Sequence, residues 1–231
     1  MKIIRLSNNV KTVASEFFVA FDVETTGLSP TEDSIVEIGA AVFINGSVDK
    51  TFKTYVNPGC HIPENVSAIN HITDEMVQDA PPIKEALKAF YKFLEQYLEE
   101  DSVEILFASH NAKFDMGFLA NAKKKTRVKE PVEIYFVDTL AIAREKISLR
   151  NYKLGTIADA FEIEHDDHHA DSDSVTCGKV LLQLLPDRPL TIHDKAKIEA
   201  ENKKSMKRGK FILLGLLLIL IALLVKGFLA R

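Results

Sequence analysis

Phe17–Leu28 reads FFVAFDVETTGL, five apolar residues running into Asp22, then Glu24, then a break at Thr25-Thr26-Gly27. In a strand, side chains alternate between faces, so Asp22 and Glu24 share one side with Phe18 and Ala20, while Val19, Phe21 and Val23 take the other. Apolar residues on both faces predict a central strand, covered above and below. Two carboxylates at the end of such a strand repel each other and resist losing water. No Lys or Arg lies close in sequence, so the economical counter-charge is a divalent metal ion. A solvated acidic loop would explain Glu24 but not Asp22, which is still inside the apolar run.

Working outward, Ser34–Ile44 (SIVEIGAAVFI) and Val48–Val56 (VDKTFKTYV) flank Asn45-Gly46, a hairpin-turn dipeptide. They predict an antiparallel pair beside the first strand. Residues 60–81 read as irregular, with a short helix over Thr73–Val77. Ile83, Leu87, Phe90, Leu94, Tyr97 and Leu98 recur at helical spacing, predicting an amphipathic helix over 82–99. Val103–Ala108 and Glu133–Val137 read as short buried strands, followed by helices to about Lys124 and over 138–146. Helices are also expected over Tyr152–Phe161 and Ala170–Leu185. Strands alternating with helices after a hairpin make a mixed α/β sheet with covered faces.

The net charge of −4 is uneven: residues 1–194 hold 20 Lys+Arg against 31 Asp+Glu, whereas 195–231 hold 9 against 2. The globular part is therefore no broad basic platform for nucleic acid, and a polyanion would have to be met by local groups or ions. Cys60 and Cys177 fit no metal-ligand spacing or disulfide framework. An early apolar run is cut by Arg5, so no signal peptide is expected. The domain reading is 1–185 for the globular part, 186–210 for a charged linker and 211–230 for a transmembrane anchor. Phe211–Val225 (FILLGLLLILIALLV) carries no polar side chain, and continuing to Ala230 it would span roughly 30 Å as a helix. Basic residues on its N-terminal side, Lys203, Lys204, Lys207, Arg208 and Lys210, would keep the globular domain on the cytoplasmic side of the membrane.

Two further acids stand out. Asp115 lies in SHNAKFDMGF, in the first turns of a helix, where the helix dipole alone would favour it. Asp173, in HHADSDSVTCGKVLL, shares a stripe with Ala170, Cys177, Val180 and Leu184, which turns it inward and demands a partner. His168 stands five residues before it, where a histidine beside a metal site can take a proton from water near neutral pH. A zinc site built on the cluster His165, His168 and His169 lacks a second group of ligands.

Together FVAFDVETTGL, SHNAKFD and HHADSD resemble the three motifs of the DEDDh 3′→5′ exonucleases, the family of the proofreading, epsilon-like subunit of bacterial DNA polymerase III. ENVSAINHITDEM and VDTLAIAREKISLRNYKLGTIADAFEI are similar to it too, so the likeness spans about residues 15–185. The resemblance implies a ribonuclease H-like fold with a five-stranded mixed sheet. It implies that Asp22, Glu24, Asp115 and Asp173 hold two Mg²⁺ or Mn²⁺ ions and that His168 is the general base. It also implies that Thr25, Thr26 and Gly27 meet the terminal nucleotide, that Leu28 wedges beside its base, and that His110, Asn111 and Phe114 belong to the same pocket. Relatives often carry a His where this chain has Asn70, followed by His71, so either could reach substrate. His169 stands where relatives commonly have Arg.

The expected function is hydrolysis of nucleic acid from 3′ ends, releasing 5′-mononucleotides, with single-stranded DNA as first choice because one nucleotide must enter unpaired. Trimming of RNA ends is the nearest rival. A non-catalytic, membrane-tethered nucleic-acid binder is a second class, and it has no use for four buried carboxylates. Because the proofreading subunit carries no membrane span, an anchored copy is expected in repair or turnover rather than at a replisome.

Overall fold

In the computed structural model, residues 1–5, 7, 13–100, 102–165 and 169–185 are described. Their strands are β1 (Lys2–Ile3), β2 (Phe17–Thr25), β3 (Ile35–Ile44), β4 (Ser47–Tyr55), β5 (Glu104–Ser109) and β6 (Glu133–Asp138). The helices are α1 (Glu64–Asn70), α2 (Asp74–Val77), α3 (Ile83–Glu95), α4 (Ala112–Thr126), α5 (Thr139–Lys146), α6 (Leu154–Ala160) and α7 (Ala170–Leu184). The strands form one six-stranded sheet in the order β1-β6-β5-β2-β3-β4. β2 runs antiparallel to β3 and parallel to β5, so the sheet is mixed, as expected. The sixth strand, β1, is an addition: two residues pair with β6 at the edge, too few for any periodicity to announce.

Asn45 and Gly46 turn the β3–β4 hairpin with φ of 50° and 78°, the pair of positive angles that a type I′ turn requires. β2 lies inside the sheet, and its alternation separates two cores. On one face Val19, Phe21 and Val23 pack with Ile38, Ala40 and Val42 beneath Leu87, Phe90 and Leu94 of α3 and Phe118 and Leu119 of α4. Phe21 is ringed by Phe90, Phe107 and Phe136 at centroid distances of 5.3, 5.4 and 6.3 Å, and each such buried ring contributes about 1.5–3 kcal/mol. On the other face Phe18, Ala20, Ala41 and Phe43 lie beneath Cys177, Val180 and Leu181 of α7, with Ile142 of α5 and Ile157 of α6. Asp22 and Glu24 continue that second face.

Two glycines let α7 lie close on the sheet. A Cβ at Gly39 of β3 would overlap the Ala170 carbonyl, and one at Gly178 of α7 would overlap the Phe43 ring, which stacks on Phe18 at 4.7 Å. α7 thus crosses β3 with almost no space between, which brings its first turn beside the end of β2.

The expected transmembrane helix is corrected, and with it the membrane partner and membrane-anchored location. Among the described residues no helix is long and apolar enough to cross a membrane. The longest, α4 and α7, have 15 residues each, about 22 Å against the roughly 30 Å of a bilayer core, and their apolar faces cover the sheet. The apolar run at 211–230 and the linker at 186–210 lie outside the described residues.

Gly178→Ala should force the Phe43 ring aside and lower unfolding free energy by about 1–3 kcal/mol in urea denaturation. An unchanged midpoint and slope would contradict the close approach of α7 to β3.

Candidate active site

Where β2 passes the end of its pairing with β5, side chains take over its backbone groups. Register between these strands is held at Val19–Phe107 and Ala20–Ala108. Beyond it, the Ser109 hydroxyl donates to the Phe21 carbonyl at 2.8 Å, and the Val23 N–H donates to Asp115 Oδ1 at 3.2 Å. Asp115 is thereby fixed at 2% exposure against β2. Its helix begins from a tight turn: Asn111 sits in the left-handed region at φ 68°. Asp138, at the end of β6, holds that turn by accepting from the Asn111 N–H at 3.1 Å, and it also caps α5 through the Leu140 and Ala141 N–H groups.

Asp173 arrives from the other side, one turn into α7. Asp22, Glu24 and Asp173 each present an oxygen within 4.8 Å of the others, an arrangement that could hold a metal ion. Asp115 stands close enough to add to the repulsion on Asp22, whose pKa is pushed well above the usual carboxylate range by burial first, then by Asp115, Glu24, Asp173 and Glu37. Burial also raises Asp115, opposed by the N–H groups it accepts from. Glu24 is raised to about 7 by burial, Asp173 and Glu37, with Asn70 pulling it down. Carboxylates held this way are either protonated or matched by a cation. All-oxygen donors suit a hard divalent ion such as Mg²⁺ or Mn²⁺, so the residues present fit the expected metal.

The other expected residues fall as follows. Thr25 and Thr26 are buried, their hydroxyls donating to the Gly27 carbonyl at 2.6 Å and accepting from the Ser34 N–H at 3.0 Å respectively. Gly27 is packed so tightly on the Asp33 carboxylate that a Cβ would not fit, and Leu28 is 85% exposed at the tip. Asn70 and His71 differ in their surroundings. Asn70 is buried, donating to the Thr25 carbonyl at 3.4 Å and accepting from the Ile72 N–H, whereas His71 ends α1 with φ 58°. Asn111 is exposed, and Phe114 packs on Phe118 at 4.9 Å. Both ring nitrogens of His110 have partners within the protein, Thr139 Oγ1 at 3.0 Å and the Tyr152 carbonyl at 2.8 Å, so His110 braces the turn. His168 lies outside the described residues.

Two residues went unnoticed in the sequence. Glu37, directly across from Glu24 in the β2–β3 register, is fully buried. A lone acid inside IVEIGAAVFI was the signal for it. Lys53 of β4 reaches Glu37 Oε1 at 3.1 Å and Asp171 Oδ1 at 3.0 Å, a cation from 29 positions beyond Glu24 that nothing local in the sequence foretold.

Comparison with known proteins agrees with this architecture. The exonuclease (RNase T) family model matches residues 19–181. The chain is 37% identical over 170 residues to a PolC-type DNA polymerase III from Caldanaerobacter subterraneus subsp. tengcongensis, covering 73% of this chain but 11% of that one. It is 35% identical over 172 residues to the DNA polymerase III subunit epsilon of Treponema pallidum, covering 73% of this chain and 76% of that protein. In fold it is similar to exonuclease X, solved in complex with 5′-overhanging duplex DNA, with a TM-score of 0.58 and 24% identity over 78% of this chain and 98% of that one. The chain thus spans only a small part of the PolC-type polymerases but most of an epsilon subunit. On the family match and the epsilon likeness, the chain belongs to the RNase T family of exonucleases, as its DEDDh-like motifs led us to expect.

Proposed function

We propose that this domain is a divalent-metal-dependent 3′→5′ exonuclease that removes 5′-mononucleotides from single-stranded DNA ends. The observation that carries the reading is the convergence of Asp22, Glu24 and Asp173 beside buried Asp115. These four side chains would hold two Mg²⁺ or Mn²⁺ ions. When bound, such ions would offset the negative charge on a hydroxide-like nucleophile, the phosphoryl oxygens and the departing 3′-oxygen. The carboxylates keep that charge fixed, so little reorganisation accompanies the reaction. His168 is assigned as general base by its place five residues before Asp173 and by family likeness.

The terminal nucleotide is read by the turn that follows β2. Thr25, Thr26 and Gly27 offer a rigid backbone, since their own side chains and the Asp33 carboxylate lock it. Leu28, apolar and exposed, would insert beside the last base, while Asn70, Asn111 and Phe114 complete the wall. DNA is favoured over RNA because the curated relatives are DNA polymerase subunits.

The full chain with Mn²⁺ or Mg²⁺ and a 5′-labelled DNA oligonucleotide should give a ladder shortening from the 3′ end, faster on single strands than on duplex and faster than on RNA. Asp22→Asn should slow it about 10²–10³-fold without unfolding the protein. Shortening from the 5′ end, or full activity in EDTA, would refute the reading; a preference for RNA would move the substrate.

Stability should report the same site. The folded pKa of Glu24 is raised from 4.5 to about 7, so between those values the native chain binds more protons than the unfolded one and loses stability as pH rises. In EDTA, Tm should therefore be lower at about pH 8 than at about pH 6, and Mn²⁺ should raise Tm more at the higher pH, where it competes with fewer protons. A Tm indifferent to Mn²⁺ at both would mean that the acids hold no ion.

A further inference from the structure

Glu37 is the one charged side chain among those fully buried in the described core that is not a candidate metal ligand. Each of its oxygens has a polar or charged neighbour. Oε2 accepts from the Ala170 N–H at 2.9 Å, one of the donors that the first turn of α7 leaves without an intrahelical partner. Oε1 pairs with Lys53 at 3.1 Å, and Lys53 reaches on to Asp171 at 3.0 Å. Partial burial would lower the Lys53 pKa, yet Asp171 and Glu37 together hold it above its usual value. The first turn of α7 is thus tied at two consecutive residues, Ala170 and Asp171, to strands β3 and β4.

That turn is also the one that matters for the site. Asp173 lies two residues beyond Asp171, and His169, with Nδ1 at 3.9 Å from Glu37 Oε2, leads directly into it. The same Ala170–Asp171 backbone lies so close over Gly39 that no Cβ would fit between them. Asp22, Glu24 and Asp173 repel one another, so the distance of Asp173 from the other two depends on how firmly this turn is held. A buried Glu directly across from Glu24 would itself add to that repulsion. Pairing with Lys53 and a helix N-terminus makes it tolerable.

We propose that Glu37 and Lys53, with Asp171, form a positioning clamp that fixes the N-terminal turn of α7 and so holds Asp173 in register with Asp22 and Glu24. None of the three belongs to the candidate metal group, so the clamp acts through α7. This inference rests on the nuclease reading for its kinetic consequence, but its structural consequence stands apart from that reading.

The test uses the full chain carrying Lys53→Met, Lys53→Arg or Glu37→Gln, with Asp22→Asn as the control for the reaction itself. Amide hydrogen exchange in EDTA reads the clamp directly. Lys53→Met should speed exchange at 170–174 roughly tenfold while β2, β3 and the second half of α7 stay protected. Kinetics at saturating metal should show kcat reduced about 10–100-fold with KM within roughly twofold, the mark of a misplaced group rather than lost substrate binding. Lys53→Arg, which keeps the charge, should recover most of kcat. Glu37→Gln removes the buried charge but keeps an acceptor for Ala170; it should move both readouts in the same direction by less, and it remains informative if Lys53→Met fails to fold. Unchanged exchange at 170–174 in a folded variant would overturn the clamp, as would a kcat loss that only follows the folded fraction. Activity that survives Asp22→Asn would sink the nuclease reading alone, and the exchange measurement would still decide the clamp.

Discussion

Mutual repulsion among carboxylates at the end of β2 is the constraint around which the rest of the domain is arranged. Asp22 and Glu24 lie on one face of a central strand, and Asp115 and Asp173 are brought to them by two helices from opposite faces of the sheet. Left to themselves these groups would separate or stay protonated, and the raised pKa values of Asp22, Glu24 and Asp115 say as much. The fold holds them together by spending packing energy elsewhere: aromatic rings under α3 on one side, and the close seat of α7 on Gly39 and Phe43 on the other. A site strained in this way has a built-in appetite for cations, which explains how an acidic protein can handle a polyanion.

The topology makes room for this. β2 has an antiparallel neighbour on one side and a parallel one on the other, and its pairing with β5 lapses before its C-terminal end. The Phe21 carbonyl and the Val23 N–H there are taken up by Ser109 and Asp115, so the opening is held by side chains rather than frayed. Ligand sites in open α/β sheets form at such points, outside the carboxyl ends of strands.

Much of this was legible in the residues. Alternation along Phe17–Leu28 placed both acids on one face, the Asn45-Gly46 dipeptide marked the hairpin, and the stripe from Ala170 to Leu184 turned Asp173 inward. What escaped depends on partners remote in sequence. The ring of His110 is committed to Thr139 and Tyr152, 29 and 42 positions on, which no local pattern could disclose. α1 has only Val66, Ala68 and Ile69 as apolar residues, too few for a helical period, so its stretch reads as irregular in sequence. Lys53 lies on the edge strand β4, where a charged residue is ordinary, so its reach to Glu37 and Asp171 is visible only in three dimensions. The apolar run at 211–230 invited a spanning helix from hydropathy alone, and no described helix meets that requirement.

The central claim, that these acids meet in order to hold metal, is tested most directly by anomalous diffraction from crystals grown with Mn²⁺. The account predicts a strong peak at about 2.2 Å from oxygens of Asp22, Glu24 and Asp173, within the range usual for a hard divalent ion, with the Asp115 carboxylate facing the same density. Crystals in which Mn²⁺ is present in the solvent, yet no peak lies among these side chains, would contradict it.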